Sequence, residues 1–159
     1  ALVFGAPVVL QARERANSLR AIASQRGLPM LVFEGGEASR FDRDAVKVGV
    51  QGVWRVMGHL GMRAGGVEPL KHPPFVAGSS VWLRTKRGGV FHPAVELGDK
   101  VSEGETLGVV MDIYGRKRAK VTAPRRGMVI GVLCHPLVSR GDAVLHLARA
   151  RVAEFGTVV

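Results

Sequence analysis

The spacing of apolar residues changes twice along this chain. Residues 2–10 and Leu28–Phe33 are short, nearly continuous apolar runs of strand length, whereas the stretches after each carry apolar residues at every third or fourth position. The spacing predicts a helix over Gln11–Arg26, with Ala12, Ala16, Leu19, Ile22 and Ala23 on one face and Arg13, Arg15, Arg20 and Arg26 around the other. Gly27 is placed to end it. Leu28–Phe33, apolar throughout, reads as a parallel strand covered on both faces. A second helix is expected to start near Ser39, where Ser39 and Asp42 form an S-x-x-D start and Asp42 and Asp44 suit the positive end of the helix. Val46, Val50, Val53, Trp54, Met57 and Leu60 then define a stripe expected to be core, and Gly61 a C-terminal cap.

Strand, helix and strand in this order make a βαβ unit, whose ligand-binding groups belong at the carboxyl ends of the strands. That rule singles out Glu34, which follows the second apolar run and precedes Gly35 and Gly36. A unit of this size leaves open strand edges and uncovered faces. Further chain, another copy or the second half of this chain is needed to cover them.

From about Gly78 the pattern becomes that of short strands between glycine turns, and it repeats. Val101-Ser-Glu-Gly-Glu-Thr-Leu107 and Val138-Ser-Arg-Gly-Asp-Ala-Val144 align without a gap, each preceded by a Gly-hydrophobic segment, Gly89-Val90-Phe91 and Gly127-Met128-Val129. Two similar halves predict an approximate internal twofold. V-x-x-G-[ED]-x-[LV] reads as a turn with Gly at a position of positive φ, and Leu97-Gly98-Asp99 adds another such turn. The strand spacing points to a small all-β sandwich or barrel.

Composition narrows the function classes. The 159 residues, 47% hydrophobic, suffice for one ordinary core or two small ones, and GVEPLKHPPFVAG, with three of the eight prolines, separates the two patterns as a linker would. No apolar run approaches the roughly 18 residues of a membrane span, and the opening residues lack the basic leader of a signal peptide. The single cysteine, Cys134, excludes an internal disulfide and suits a reducing cytoplasm. The net charge of +10, with basic clusters at Arg84–Arg87, Arg116–Lys120 and Arg125–Arg126, raises the alternative of a basic nucleic-acid-binding module. Apart from Tyr114, however, no aromatic residue is interleaved with those clusters as a stacking platform, so nucleic acid is not the expected partner. The charge can equally draw in a small anionic substrate. His59, His72, His92, His135 and His146 are scattered, without H-x-x-E, H-E-x-x-H or a cysteine pair. They read as surface or core-edge imidazoles, and no metal site is expected in this chain.

SLRAIASQRG, LPMLVFEGGEASRFD, RFDRDAVKVGVQGVWRVMGHLGM and the Gly-rich segment from Gly88 onward together resemble the C-terminal half of the succinylglutamate desuccinylase/aspartoacylase family, related in fold to zinc carboxypeptidases. The resemblance runs over nearly the whole chain. In that family a strand-end Glu in a P-x-x-x-x-E-x-G setting is the general acid/base beside a catalytic zinc, and Pro29, Glu34 and Gly36 stand in that pattern. The family's zinc ligands, an H-x-x-E pair and a later His, precede the equivalent of Leu28, where this chain has no histidine. Zinc is therefore expected only in a longer parent protein, of which this chain is read as a fragment lacking the N-terminal half. The β segment also resembles the barrel-sandwich hybrid of biotinyl and lipoyl carrier domains, including Ala123-Pro124 followed by Gly127, but Arg116 occupies the position of the modified lysine, with Lys117 one residue off. Asp112-Ile-Tyr-Gly115 instead matches the D-x-x-G turn of the desuccinylase/aspartoacylase family, whose β domain narrows the catalytic mouth. Asp112, Tyr114 and Arg116 are accordingly expected on a substrate-access loop, with plain packing the alternative for Tyr114.

The resulting fold class is α/β plus all-β: a partial zinc-carboxypeptidase-like α/β unit at 1–64, a linker at 65–78, a barrel-sandwich-hybrid-like β domain at 79–150, and a tail at 151–159. The implied function is deacylation of an N-acyl amino acid or related small molecule by a zinc-dependent cytoplasmic hydrolase, with Glu34 as general acid/base and a homo-oligomer left open. This chain alone is expected to be inactive. A non-catalytic carrier-like β domain serving assembly is the further alternative.

Overall fold

The computed structural model describes all residues except Arg13, 65–68, Lys117 and 151–159. Part of the linker, the tail and the two basic residues Arg13 and Lys117 therefore lie outside the described residues. The chain divides into two units, Ala1–Val76 and Ala77–Val159.

The first unit contains a three-residue strand β1 (Val8–Leu10) and two helices, α1 (Leu19–Gln25) and α2 (Arg43–His59). Helix α1 is shorter than the apolar spacing predicts. Asn17 takes a left-handed φ of 61°, and Ser18 is the N-cap, its hydroxyl accepting from the Ala21 N–H at 3.2 Å. Both helices end as their glycines predict. Gly27 (φ 67°) donates to the Ser24 carbonyl at 2.9 Å while Leu28 donates to Ala23 at 2.9 Å. Gly61 (φ 69°) donates to Gly58 at 3.1 Å while Met62 donates to Met57 at 2.9 Å. Each is a Schellman motif.

Three expectations for this unit are corrected. Helix α2 is capped by Asp42, not Ser39: the Asp42 carboxylate accepts from the Asp44 and Ala45 N–H groups at 3.0 and 2.9 Å, whereas Ser39 (φ 63°) lies in the turn before it. Leu28–Phe33 forms no strand, so there is no βαβ unit. Among the described residues no main-chain group of Met30–Phe33 bonds to another main-chain group, and apolar sequence cannot make a strand without a neighbour. Finally, the α2 stripe is not core. Val46, Val50, Val53, Trp54 and Leu60 are exposed, and the packed side of α2 is its glycine face. Phe4, 6% exposed, lies so close to Gly52 that a Cβ there would meet its ring at 2.5 Å, and Phe33 sits against Gly49 with its ring centroid 5.2 Å from that of Phe4. The Arg55 guanidinium donates to the Phe4 carbonyl at 3.0 Å.

The strands β2 (Phe75–Arg84), β3 (Gly89–Pro93), β4 (Lys100–Val101), β5 (Thr106–Met111), β6 (Arg118–Thr122), β7 (Gly127–Val132), β8 (Leu137–Val138) and β9 (Ala143–Ala150) follow, β2 starting inside the segment read as linker. In the second unit β2, β9, β7 and β4 lie side by side in that order, and β6, β5, β3 and β8 form a second sheet. The expected internal twofold is visible in the pairing. Strand β3 pairs with β5 and β8 as β7 pairs with β9 and β4, all antiparallel. The repeat turns are built alike: Glu105 accepts from the Ser102 N–H at 2.8 Å and Asp142 from the Ser139 N–H at 2.7 Å, with Gly104 and Gly141 at φ 80° and 95°. One core draws on both sheets, and its equivalent pairs Val101 and Val138, Leu107 and Val144, and Val110 and Leu147 are all buried.

The twofold also relates two tight backbone approaches. A Cβ on Gly127 would come 2.6 Å from the Ala148 carbonyl oxygen, and one on Gly89 closer still to that of Met111, with φ of 148° at Gly89 besides. Gly89→Ala is expected to destabilise the second unit by about 1–3 kcal/mol, and more than Gly127→Ala, because it adds backbone strain to overpacking. Equilibrium denaturation of the two variants checks the order.

Candidate functional site

Glu34 sits where the apolar segment gives way to a bend at Gly36. Gly36 (φ 80°) reverses the chain there, and a Cβ on it would lie 3.1 Å from the Asp42 Cβ, so the segment passes close to the N-terminus of α2. Between this turn and α2 runs an open groove of about 530 Å³. Phe33, Phe41, Val46, Val50, Val53 and Trp54 supply its apolar lining, and Glu37 and Arg40 are paired on its wall at 3.1 Å. The Glu34 side chain is exposed and is not part of that lining, although Phe33, Gly35 and Gly36 around it are. Glu34 was expected at the carboxyl end of a strand, and the segment before it is not a strand.

Pattern reading named Asp42 at the helix start but not as its cap, and it did not single out Phe41: Phe41, 97% exposed, flanks the cap that opens α2. The sequence signal was an Asp directly before a helical spacing, a better N-cap than a serine held in a left-handed turn. Asp42→Ala should cost about 1 kcal/mol of stability by leaving the Asp44 and Ala45 N–H groups without their acceptor. Thermal melting followed by far-ultraviolet circular dichroism measures it.

In the second unit Asp112, Tyr114 and Arg116 come together at the β5–β6 hairpin tip. The Asp112 carboxylate accepts from the Tyr114 and Arg116 N–H groups at 3.0 and 2.9 Å, and Gly115 (φ 70°) donates to the Asp112 carbonyl at 2.9 Å. Asp112 therefore holds the turn. Ile113 and Tyr114 are 77% and 74% exposed, with the Arg116 guanidinium 5.8 Å from the Tyr114 ring centroid.

Among the described residues no three of His, Cys, Asp or Glu gather in a way that could hold a metal ion. His135 Nδ1 lies 3.0 Å from the Leu137 carbonyl, and His146 stacks on Trp82 with centroids 4.0 Å apart. Cys134 is exposed and in no disulfide, and its thiol faces the Val132 carbonyl at 3.7 Å. No helix among the described residues is long and apolar enough to cross a membrane.

A helix-bearing unit followed by a twofold, two-sheet β unit is the fold of about half of a larger class of solved proteins. Succinylglutamate desuccinylase/aspartoacylase from Rhodobacter sphaeroides is similar at 24% identity over 95% of this chain and 48% of its own, with a TM-score of 0.82. The product-bound ectoine utilization protein EutE (DoeB) from Ruegeria pomeroyi is similar at 20% identity over 92% of this chain and 46% of its own, also at 0.82. An aspartoacylase family protein from Mesorhizobium loti is 18% identical over 94% and 45%, at 0.72. The likeness is one of fold, and the chain spans about half the length of these structures. No protein-family model and no curated protein matches the sequence.

Proposed function

We propose that this chain is the base-carrying part of a hydrolase that deacylates an N-acyl amino acid or related small molecule, with Glu34 as general acid/base. The observation that carries the reading is the fold shared over 95% of the chain with a succinylglutamate desuccinylase/aspartoacylase. Pro29, Glu34 and Gly36 stand in the sequence setting that the family uses for its catalytic Glu. An exposed carboxylate there takes a proton from the attacking water and returns it to the leaving amine. The metal the resemblance implies is zinc, which would supply a Lewis acid for the scissile carbonyl. The described residues do not fit a zinc site, so its ligands belong to chain outside these residues, and Glu34's role is confined to the proton. The β unit is a barrel-sandwich hybrid in this reading, and its Asp112–Arg116 tip shapes substrate access.

The protein purified from its native source is expected to release free amino acid from N-succinyl or N-acetyl amino acids and to stop when treated with a chelator. The isolated 159 residues should release none. A native protein inert toward a full panel of N-acyl amino acids would overturn the reading.

A further inference from the structure

The twofold of the second unit builds one pair of turns twice, and the two copies differ in charge. The Thr85 N–H donates to the Asp142 carbonyl at 3.0 Å and the Gly141 N–H to the Thr85 carbonyl at 2.9 Å, just as the Ala123 N–H donates to Glu105 at 2.9 Å and the Gly104 N–H to Ala123 at 2.8 Å. On this shared backbone Arg84, Lys86 and Arg140 stand where Thr122, Pro124 and Glu103 stand, and Arg87 where Arg125 does. All four cations of the first copy are exposed, and among the described residues Lys86, Arg87 and Arg140 make no ion pair. The carboxylate beside them, Asp142, accepts from the Ser139 N–H at 2.7 Å. Further bonds hold these turns: the Arg84 guanidinium donates to the Gly141 carbonyl at 2.8 Å, and the Thr85 hydroxyl donates to the Arg87 carbonyl at 2.6 Å and accepts from its N–H at 3.2 Å. Neutral and acidic residues serve the same backbone in the other copy, so the fold does not need the charges, and crowding like charges costs stability.

We propose that the turns carrying Arg84, Lys86, Arg87 and Arg140 form a docking surface for an acidic, extended segment of a separate partner protein. This function goes beyond the hydrolase reading and makes no use of Glu34. Charge complementarity and what the turns lack choose the occupant. The guanidinium forks of Arg87 and Arg140 match carboxylates bidentately, and Lys86 adds a flexible point charge. Residues 84–88 and 139–142 include no aromatic or large apolar side chain, so they offer neither a stacking platform for bases nor an anchor for a bilayer. Glu103 and Glu105 at the related turns keep the charge from continuing as the stripe that a nucleic-acid duplex requires.

Titrating a fluorescently labelled oligoglutamate peptide with the native protein, followed by anisotropy, tests this. Lys86→Glu with Arg140→Glu should weaken binding about a hundredfold. Lys100→Glu with Arg125→Glu makes the same change in net charge at other exposed positions of the β unit and should weaken it no more than a few-fold. Both double variants should keep the melting temperature of the unaltered protein. Equal loss in both overturns the proposal, because diffuse charge then accounts for the binding, and so does a native protein that binds no peptide. Tighter binding of a DNA duplex or of phosphatidylserine vesicles at the same salt concentration also overturns it. Self-association abolished by Lys86→Glu with Arg140→Glu would make the occupant a second copy, against the proposal. A fall in kcat/KM toward N-acyl amino acids in that variant, without peptide binding by the unaltered protein, would make the turns a funnel for substrate and likewise sink it. Peptide binding confined to these turns in a protein without deacylase activity supports the proposal while removing the hydrolase reading.

Discussion

Glu34→Gln is expected to lower the deacylation rate of the native protein about a hundredfold or more while leaving the fold intact. The change is nearly isosteric and replaces an anionic carboxylate with a neutral amide that cannot act as a base. Because Glu34 is exposed and makes no ion pair among the described residues, its loss should not move the melting temperature. Glu37→Gln is the control. Glu37 is only three residues on and lies in the groove wall, but it is paired with Arg40 at 3.1 Å on an exposed surface, where such a pair contributes about 0–1 kcal/mol. It should retain activity within a few-fold. Steady-state kinetics of both variants decides between them: full activity in Glu34→Gln with none in Glu37→Gln would put the base three residues further along and break the sequence match on which the assignment rests.

Leu107→Ala should destabilise the second unit by about 2–5 kcal/mol. Leu107 is fully buried in the core between the two sheets, in a setting shared with its twofold equivalent Val144. Truncation removes buried methyl groups and leaves a cavity that two hydrogen-bonded sheets can close only partly. Leu97→Ala, at a position 67% exposed, should change stability by less than about 0.5 kcal/mol. Urea denaturation separates the two outcomes, and equal effects would mean that the core is not where the structure places it.

The turns were the most legible part of the chain. Gly27 and Gly61 end their helices as read, and the V-x-x-G-[ED] repeats close the same turn twice. In each case the determinants, a residue free to take positive φ and an acceptor a few residues away, lie within one short stretch. The internal twofold was legible for the same reason, since two copies of one local pattern build two copies of one local structure. The candidate site was legible only in part. Glu34 lies at the end of its apolar segment, and Asp112, Tyr114 and Arg116 share one tip because they share one turn.

The sequence by itself therefore determined the glycine ends of both helices, the turns of the β unit and its internal repeat. The tertiary structure decided the rest: that Leu28–Phe33 is not a strand in this chain, that the glycine face of α2 and not its valine stripe packs on Phe4 and Phe33, and that β3 joins β8 while β7 joins β4. The physical reason is the range of the interactions. A cap or a turn is satisfied within a few residues, whereas a strand is half of a hydrogen-bonded pair and a buried face half of a contact, so each exists only where the other half comes to meet it.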